Sequence, residues 1–385
     1  MKFFFIVGES SGDALAASLI TALKQKHGEN IECLGVGGPK MKAAGFNELL
    51  PMDQISVIGL WEVLPKIPRL IKLNKAIVEE IEKQQPNAVI TVDFPDFNFI
   101  AAKSLKKRGI FKGKLIHYVA PSVWAWRPER AKNIAQFMDG IMCLFPMEVE
   151  YFTKHGMKAS HVGHPLVTSN VHEASGADFR RDNKIPEDAK VLGILFGSRE
   201  SEFKNLSAVI KKAATMANEI EPDICCVVPT LPHLEYEVQT LLEGFELPVY
   251  IVANEQLKWQ AIKACNNAIV VSGTAALEVA YAEVPHLITY KINPITALIL
   301  KFMVKIKFAH LVNILFDKEI VTEFLQGKCV PELIAQETID LFQDEEKCKT
   351  QIEQFKKLDG LLGKNDTTSP SEKAANFVVD IVKGG

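Results

Sequence analysis

Ten short runs of β-type residues punctuate the chain, and the segments between them carry the apolar spacing of amphipathic helices. In the first half the runs are KFFFIVG, IECLGVGG, NAVITVD, KLIHYVA and GIMCLF; in the second they are VLGILFG, ICCVVP, PVYIVA, NAIVVSG and HLITYK. They are nearly continuous in apolar character instead of alternating, as expected of parallel strands covered on both faces. Strand and helix alternate throughout, so the pattern predicts an α/β protein made of two doubly wound, Rossmann-like domains. Residues 167–190, between the two series, are polar and lack a hydrophobic period. The boundary is placed there, giving an N-terminal domain of residues 1–167 and a C-terminal domain of residues 168–385. The tail from Pro331 reads as helices belonging to the second domain, with a polar stretch, DGLLGKNDTTSPSE, before a short final helix.

Composition narrows the function. The 385 residues are 48% hydrophobic and carry a formal charge of −3, so no global positive field exists to hold a polyanion, and nucleic acid is excluded as the expected partner. Seven cysteines, an odd number without a C-x-x-C pair and with Cys225 and Cys226 adjacent in an apolar run, fit a reducing cytoplasm and argue against a structural zinc. FFFIV leads straight into GESSGD, without the apolar region and cleavage site of a signal peptide. No run is long enough and sufficiently uncharged to span a bilayer, so contact with membrane is expected to be peripheral.

In open parallel sheets ligands bind beyond the carboxyl ends of the strands, and five such positions are unusual. GESSGD at 8–13 places Glu9, Ser10 and Ser11 between two glycines that permit tight or positive-φ turns, with Asp13 just after the second; the serines and Asp13 suit helix capping or hydroxyl binding. VDFPDFNF at 92–99 ends a buried strand with Asp93 and Asp96, where partial burial suits a carboxylate to general-base work and the plain alternative is an N-cap. HYVAPSVWAWRPERAKNI at 117–134 carries Trp124, Trp126 and Arg127, fit for a sugar ring and a phosphate or equally for a loop packed by cation–π contact. His117, on the strand, reads as a core histidine. LFGSRESE at 195–202 sets Gly197, Ser198 and Arg199 at a helix start, an arrangement for a pyrophosphate; the neutral reading pairs Arg199 with Glu200 or Glu202. SGTAALEVA at 272–280 repeats that geometry with Ser272, Gly273 and Thr274, and Glu278 one turn into the helix can accept from ribose hydroxyls. Two phosphate-type turns without a Walker lysine point to a nucleotide-sugar diphosphate.

Two basic amphipathic stretches remain. Residues 57–75 (VIGLWEVLPKIPRLIKLNK) offer Trp61, Leu64, Ile67 and Leu70 beside four cations, and ALILKFMVKIKF is similar. Either surface can lie on anionic headgroups or accept acyl chains, and either can equally be a helix packed on its own domain.

Taken in order, GESSGD, GVGGPKM, VDFPDFN, HYVAPSVWAW, VGHP, GSRESE, SGTAALE and VNILFDKEIVTEFLQ resemble the lipid-A-disaccharide synthase family of GT-B glycosyltransferases over nearly the whole chain. HYVAPSVWAW and SGTAALE are specific, whereas the short glycine turns are not. The departures are small: Phe196 and Val312 stand where a proline is frequent. The resemblance implies two Rossmann-like domains facing a cleft, with the acceptor and membrane on the N-terminal side and the UDP-sugar on the C-terminal side. It implies transfer of 2,3-diacylglucosamine from UDP to the 6-hydroxyl of 2,3-diacylglucosamine 1-phosphate. The α-linked donor and β-1,6 product mean inversion. Asp93 would then be the base and Asp96 would orient its loop. Arg199 and the helix starts at Ser198 and Thr274 would neutralise the leaving UDP, Glu278 would hold the ribose, and Asn313 and Gln326 would complete the nucleotide side. No metal or other cofactor is expected. The implied setting is the cytoplasmic face of the inner membrane of a Gram-negative type of cell, with a homodimer among the expected assemblies. A UDP-sugar 2-epimerase, a two-lobed binding protein and a nicotinamide dehydrogenase are the competing readings; the last lacks a G-x-G-x-x-G turn.

Overall fold

The computed structural model describes residues 1–28, 30–55, 67–293 and 306–384, with the side chains of Ile67, Glu200 and Ser201 outside that description. The chain forms two compact units, Met1–Thr168 with Asp359–Gly385, and Ser169–Leu358. The first is built on β1 (Lys2–Val7), β2 (Glu32–Gly37), β3 (Asn47–Pro51), β4 (Ala88–Val92), β5 (Lys114–Tyr118), β6 (Gly140–Cys143) and β7 (Lys158–His161). Their order across the sheet is β3-β2-β1-β4-β5-β6-β7, with every pair parallel. The second is built on β8 (Lys190–Leu195), β9 (Ile224–Pro229), β10 (Val249–Val252), β11 (Asn267–Val271), β12 (His286–Tyr290) and β13 (Glu323–Leu325). Its order is β10-β9-β8-β11-β12-β13, again parallel.

All ten apolar runs are strands. The central ones are buried from end to end, as in FFFIV of β1 and AVITV of β4. Gly35 on β2 is required where it stands. Its φ is +130°, and a Cβ there would lie 2.3 Å from the Phe5 carbonyl of β1, so no other residue allows the strands to approach. The seven cysteines are unpaired thiols, and all but the half-buried Cys348 are buried.

The tail corrects the expected domain plan. From Asp359 the chain belongs to the first unit, not the second. The helix Pro370–Lys383 buries Ala374, Ala375, Val378, Val379 and Ile381, packing on the helix Ser10–His27 and over Gly140 of β6. Its apolar stripe is visible in sequence, but periodicity alone does not say which sheet the stripe covers.

Candidate active site

In the first sheet the chain steps outward from β1 to β3, then returns to the other side of β1 as β4. At such a reversal the connections leave in opposite directions, opening a crevice beyond the strand ends where ligands bind. GESSGD follows β1 and VDFPDFNF follows β4, and the two loops meet: the Ser11 hydroxyl lies 3.4 Å from Asp93 Oδ2, and a Cβ on Gly8 would lie 3.0 Å from the Phe94 ring. Asp93 and Phe94 both have left-handed backbones, φ +51° and +44°. Two consecutive non-glycine residues in that region store strain. The Asn98 carboxamide supports the turn, donating to the carbonyls of Val92 (3.3 Å) and Asp93 (2.7 Å). The Asp93 carboxylate accepts from the Phe94 amide at 2.9 Å through Oδ1. With one donor on each oxygen it keeps lone pairs open to a further proton.

Several residues of these loops have structural duties. Asp13 is buried and accepts from the amides of Gly38 (3.2 Å), Lys40 (2.9 Å) and Met41 (3.0 Å), so it caps the next helix, Pro39–Ala43, and has little surface left for a hydroxyl ligand. Of the two uses expected for Gly8 and Gly12, tight turns or positive φ, positive φ is not the one taken. Gly12 lies within the helix Ser10–His27, where a Cβ would touch Val7 at 3.0 Å, so the glycines serve close packing. Glu9, Ser10 and Ser11 are exposed. Asp96, its side chain 87% exposed, accepts from Arg130 at 2.7 Å.

Strain continues at the ends of neighbouring strands. Val119, just after β5, has φ +77°, which is rare for a β-branched residue, and Arg127 has φ +53°. The Arg127 guanidinium stacks 4.5 Å from the Trp126 ring, the packed-loop alternative noted for this segment. The Trp124 indole donates to Glu148 at 3.2 Å. Glu148 is a residue that sequence reading missed. Burial pushes its carboxyl up to about 7, against the pull of Trp124 and of the Phe145 and Leu144 amides that donate to it. Its only sequence signal is an acid following the buried strand GIMCLF. His117 is a core residue whose Nδ1 meets the Thr91 hydroxyl at 2.7 Å, and burial lowers its pKa to about 3.

The second sheet reverses between β8 and β11, and the two phosphate-type turns follow those two strands. Gly197 has φ +90°. Glu202 fills the first turn: one oxygen accepts from the amides of Ser198 (3.2 Å) and Arg199 (3.3 Å), and the other from the Arg199 guanidinium (3.2 Å). The neutral pairing anticipated for Arg199 is therefore present, and an internal carboxylate holds the amides expected to face an anion. Arg199 itself remains 63% exposed. The second turn is more open. Ser272 Oγ donates to the Ala309 carbonyl at 3.3 Å, Thr274 is exposed, and a Cβ on Gly273 would meet nothing within 4 Å. Glu278 pairs with Lys258 at 2.6 Å.

Asn313 departs most from expectation. It is fully buried, its Nδ2 donating to Val321 O and Glu323 Oε1 and its Oδ1 accepting from the Ile320 and Val321 amides, all within 2.9 Å. All four hydrogen-bonding positions of the carboxamide are used within the fold, so in this arrangement its side chain has no hydrogen bond left to offer a nucleotide. Gln326 faces the Ile292 backbone, where its amide can both donate and accept at 3.2 Å. Of the expected membrane residues, Trp61 and Leu64 and the side chain of Ile67 lie outside the described residues, as does most of ALILKFMVKIKF. Leu70 is half-buried against the first core, and its neighbour Ile71 is exposed. Among the described residues no helix is long and apolar enough to cross a membrane.

Two Rossmann-like units, each with its ligand-type loops at the reversal of a parallel sheet, make up the GT-B fold. A solved calicheamicin glycosyltransferase, CalG4, has this fold at TM-score 0.60 and 14% identity, covering 99% of this chain and 98% of that one. A putative UDP-N-acetylglucosamine 2-epimerase from Listeria monocytogenes shares it at TM-score 0.62 and 15% identity, covering 100% and 96%. The family model described as lipid-A-disaccharide synthetase matches residues 3–377, and the chain belongs to that family. A relative named lipid-A-disaccharide synthase, from Paramagnetospirillum magneticum, is 38% identical over 100% of this chain and 98% of its own length.

Proposed function

We propose that this enzyme transfers 2,3-diacylglucosamine from UDP to the 6-hydroxyl of 2,3-diacylglucosamine 1-phosphate with inversion, releasing UDP and the β-1,6 disaccharide 1-phosphate. The observation that carries the reading is Asp93, a carboxylate held on a strained turn at the switch point of the first sheet, with lone pairs to spare. Asp93 takes the proton of the attacking hydroxyl as the oxygen–anomeric carbon bond forms and the bond to UDP breaks. Arg199 and the open helix start at Ser272, Gly273 and Thr274 neutralise the charge that develops on the departing diphosphate. Glu278 exchanges its bond to Lys258 for the ribose hydroxyls. Glu9, Ser10, Ser11, Trp124, Trp126 and Arg127 border the acceptor, with Trp124 positioned by Glu148. The basic stretch 57–75, which runs into the helix Ile67–Gln84, docks peripherally on an anionic membrane, where both acylated substrates reside. No metal takes part.

The test is mass spectrometry of the protein incubated with both substrates in detergent, with and without a chelator. A tetraacyl disaccharide phosphate plus UDP, formed equally in chelator, is the expected result. Intact substrates from a folded protein that binds UDP would overturn the transfer reaction, and activity lost in chelator would overturn the metal-free mechanism.

A further inference from the structure

A cavity of about 150 Å³ opens on the first unit beside the Asp93 loop, lined by Asp96, Phe99, Ile100, Lys103, Arg130, Asn133, Ile134 and Phe137. Its two walls follow one rule. Asp96, Phe99, Ile100 and Lys103 are spaced i, i+3, i+4, i+7 along the helix Pro95–Arg108, and Arg130, Asn133, Ile134 and Phe137 repeat that spacing on the segment after the tryptophan loop. Each wall thus offers one cation over an aromatic residue of the cavity: Arg130 stands 5.7 Å from the centre of the Phe99 ring, and Lys103 5.2 Å from that of Phe137. Only one carboxylate answers two cations. Asp96 binds Arg130 at 2.7 Å, and among the described residues no carboxylate lies within ion-pairing distance of Lys103. Ile100 adds an apolar side chain that is 58% exposed. An arginine fork and a lysine above an aromatic floor, with apolar surface alongside, match a phosphate carried on an amphiphile.

We propose that this cavity is a phosphate subsite, and that Lys103 and Arg130 bind the 1-phosphate of the acylated acceptor. The assignment rests on the acceptor named above. Asp96 is the counter-ion that Arg130 releases when the phosphate enters. Asp96 stands in the first turn of the helix Pro95–Arg108, which the strained Asp93–Phe94 turn leads into, so a phosphate anchored here fixes one end of the sugar while its far hydroxyl meets the base.

The first test compares acceptors with and without the 1-phosphate. Lys103→Gln and Arg130→Gln are expected to raise KM for the phosphorylated acceptor about 10- to 100-fold, the range for losing a charge-assisted contact. The KM of the phosphate-free analogue and kcat should hardly change, and Lys103→Arg should restore the wild-type KM. Equal losses on both acceptors, or none on either, would overturn the subsite. Lys103 is exposed and keeps the test sound if Arg130→Gln disturbs packing on Phe99. A second arm needs no turnover: binding of dodecyl phosphate, below its micelle concentration, should weaken about tenfold in each variant. If the wild type forms no disaccharide yet dodecyl phosphate binding still depends on both cations, the acceptor reading falls and the phosphate subsite stands. If that binding ignores both substitutions, the subsite falls. Phosphatidylglycerol vesicles separate the remaining source of the same chemistry: variants that lose vesicle binding with the KM ratio unchanged would reassign the site to bilayer headgroups and overturn the acceptor assignment.

Discussion

Glu202 holds Arg199 twice, accepting from its backbone amide at 3.3 Å and from its guanidinium at 3.2 Å. The arginine is thereby aimed without being buried, since Glu202 rather than Arg199 occupies the sheltered side of the pair. Arg199→Ala is expected to lower kcat roughly 100- to 1,000-fold while the fold is kept, as for other losses of one group stabilising developing charge. Glu202→Gln retains an acceptor for the amides but removes the charged anchor, so a smaller fall of about three- to tenfold is expected. Steady-state kinetics on the lipid substrates measures both, and a near-normal Arg199→Ala rate would remove the arginine from the leaving-group role.

Asp93→Asn preserves shape and abolishes basicity. Turnover should fall roughly 100- to 10,000-fold with UDP-sugar affinity unchanged. Ser11→Ala removes only the long 3.4 Å contact, and a loss of less than about tenfold is expected. Should the asparagine variant work normally, the base lies elsewhere.

Asn313→Ala is a stability prediction. Its neighbours lose four hydrogen bonds in a fully buried place, which costs about 2–4 kcal/mol. Urea unfolding followed from the second unit should show the loss, while the folded fraction binds UDP with unchanged affinity. A weakened affinity at full stability would return Asn313 to the nucleotide site.

His286 and His310 meet Nε2 to Nε2 at 2.8 Å in a fully buried pair. The Val312 amide donates to His310 Nδ1 and His286 Nδ1 faces the Val284 carbonyl, so His310 carries its proton on Nε2, His286 on Nδ1, and both are neutral. Burial pushes His286 down to about 4; burial, aided by the neighbouring imidazole, pushes His310 well below its usual value. Unfolded histidines take up protons as the pH falls below about 6.5, whereas His286 does not until about 4 and His310 is held well below its usual range. Their stabilising contribution is therefore complete above that window and is lost as the pH falls through it. Hydrogen exchange of the Val312 amide should report the loss, and protection that stays level from pH 7 to 4 would contradict it.

What the sequence revealed depended on how strongly burial marks a residue. Ten strands announce themselves through continuous apolar runs. The three it concealed, NELLP of β3, KASH of β7 and EFL of β13, lie at sheet edges, where one side is open and few positions must be apolar. The loops that follow β1, β4, β8 and β11 were legible as turns into helices, because glycine, serine and aspartate favour turns and helix caps. Their partners were not. Nothing in GESSGD says that Asp13 caps a helix beginning at Pro39, and nothing in GSRESE decides whether Glu202 or a phosphate takes the Ser198 amide. Those outcomes turn on distances between segments far apart in sequence or on neighbouring side-chain geometry, to which motif spacing is blind.

The return of the chain to its first unit at Asp359 sets an order of assembly during translation. The helix Pro370–Lys383, which covers Gly140 and packs on the helix Ser10–His27, leaves the ribosome only after all of Ser169–Leu358 has been made. At ordinary elongation rates the nascent N-terminal unit waits roughly ten to forty seconds for that piece. The unit synthesised second is contiguous and can close first, while the unit synthesised first is exposed longest to chaperones and proteases.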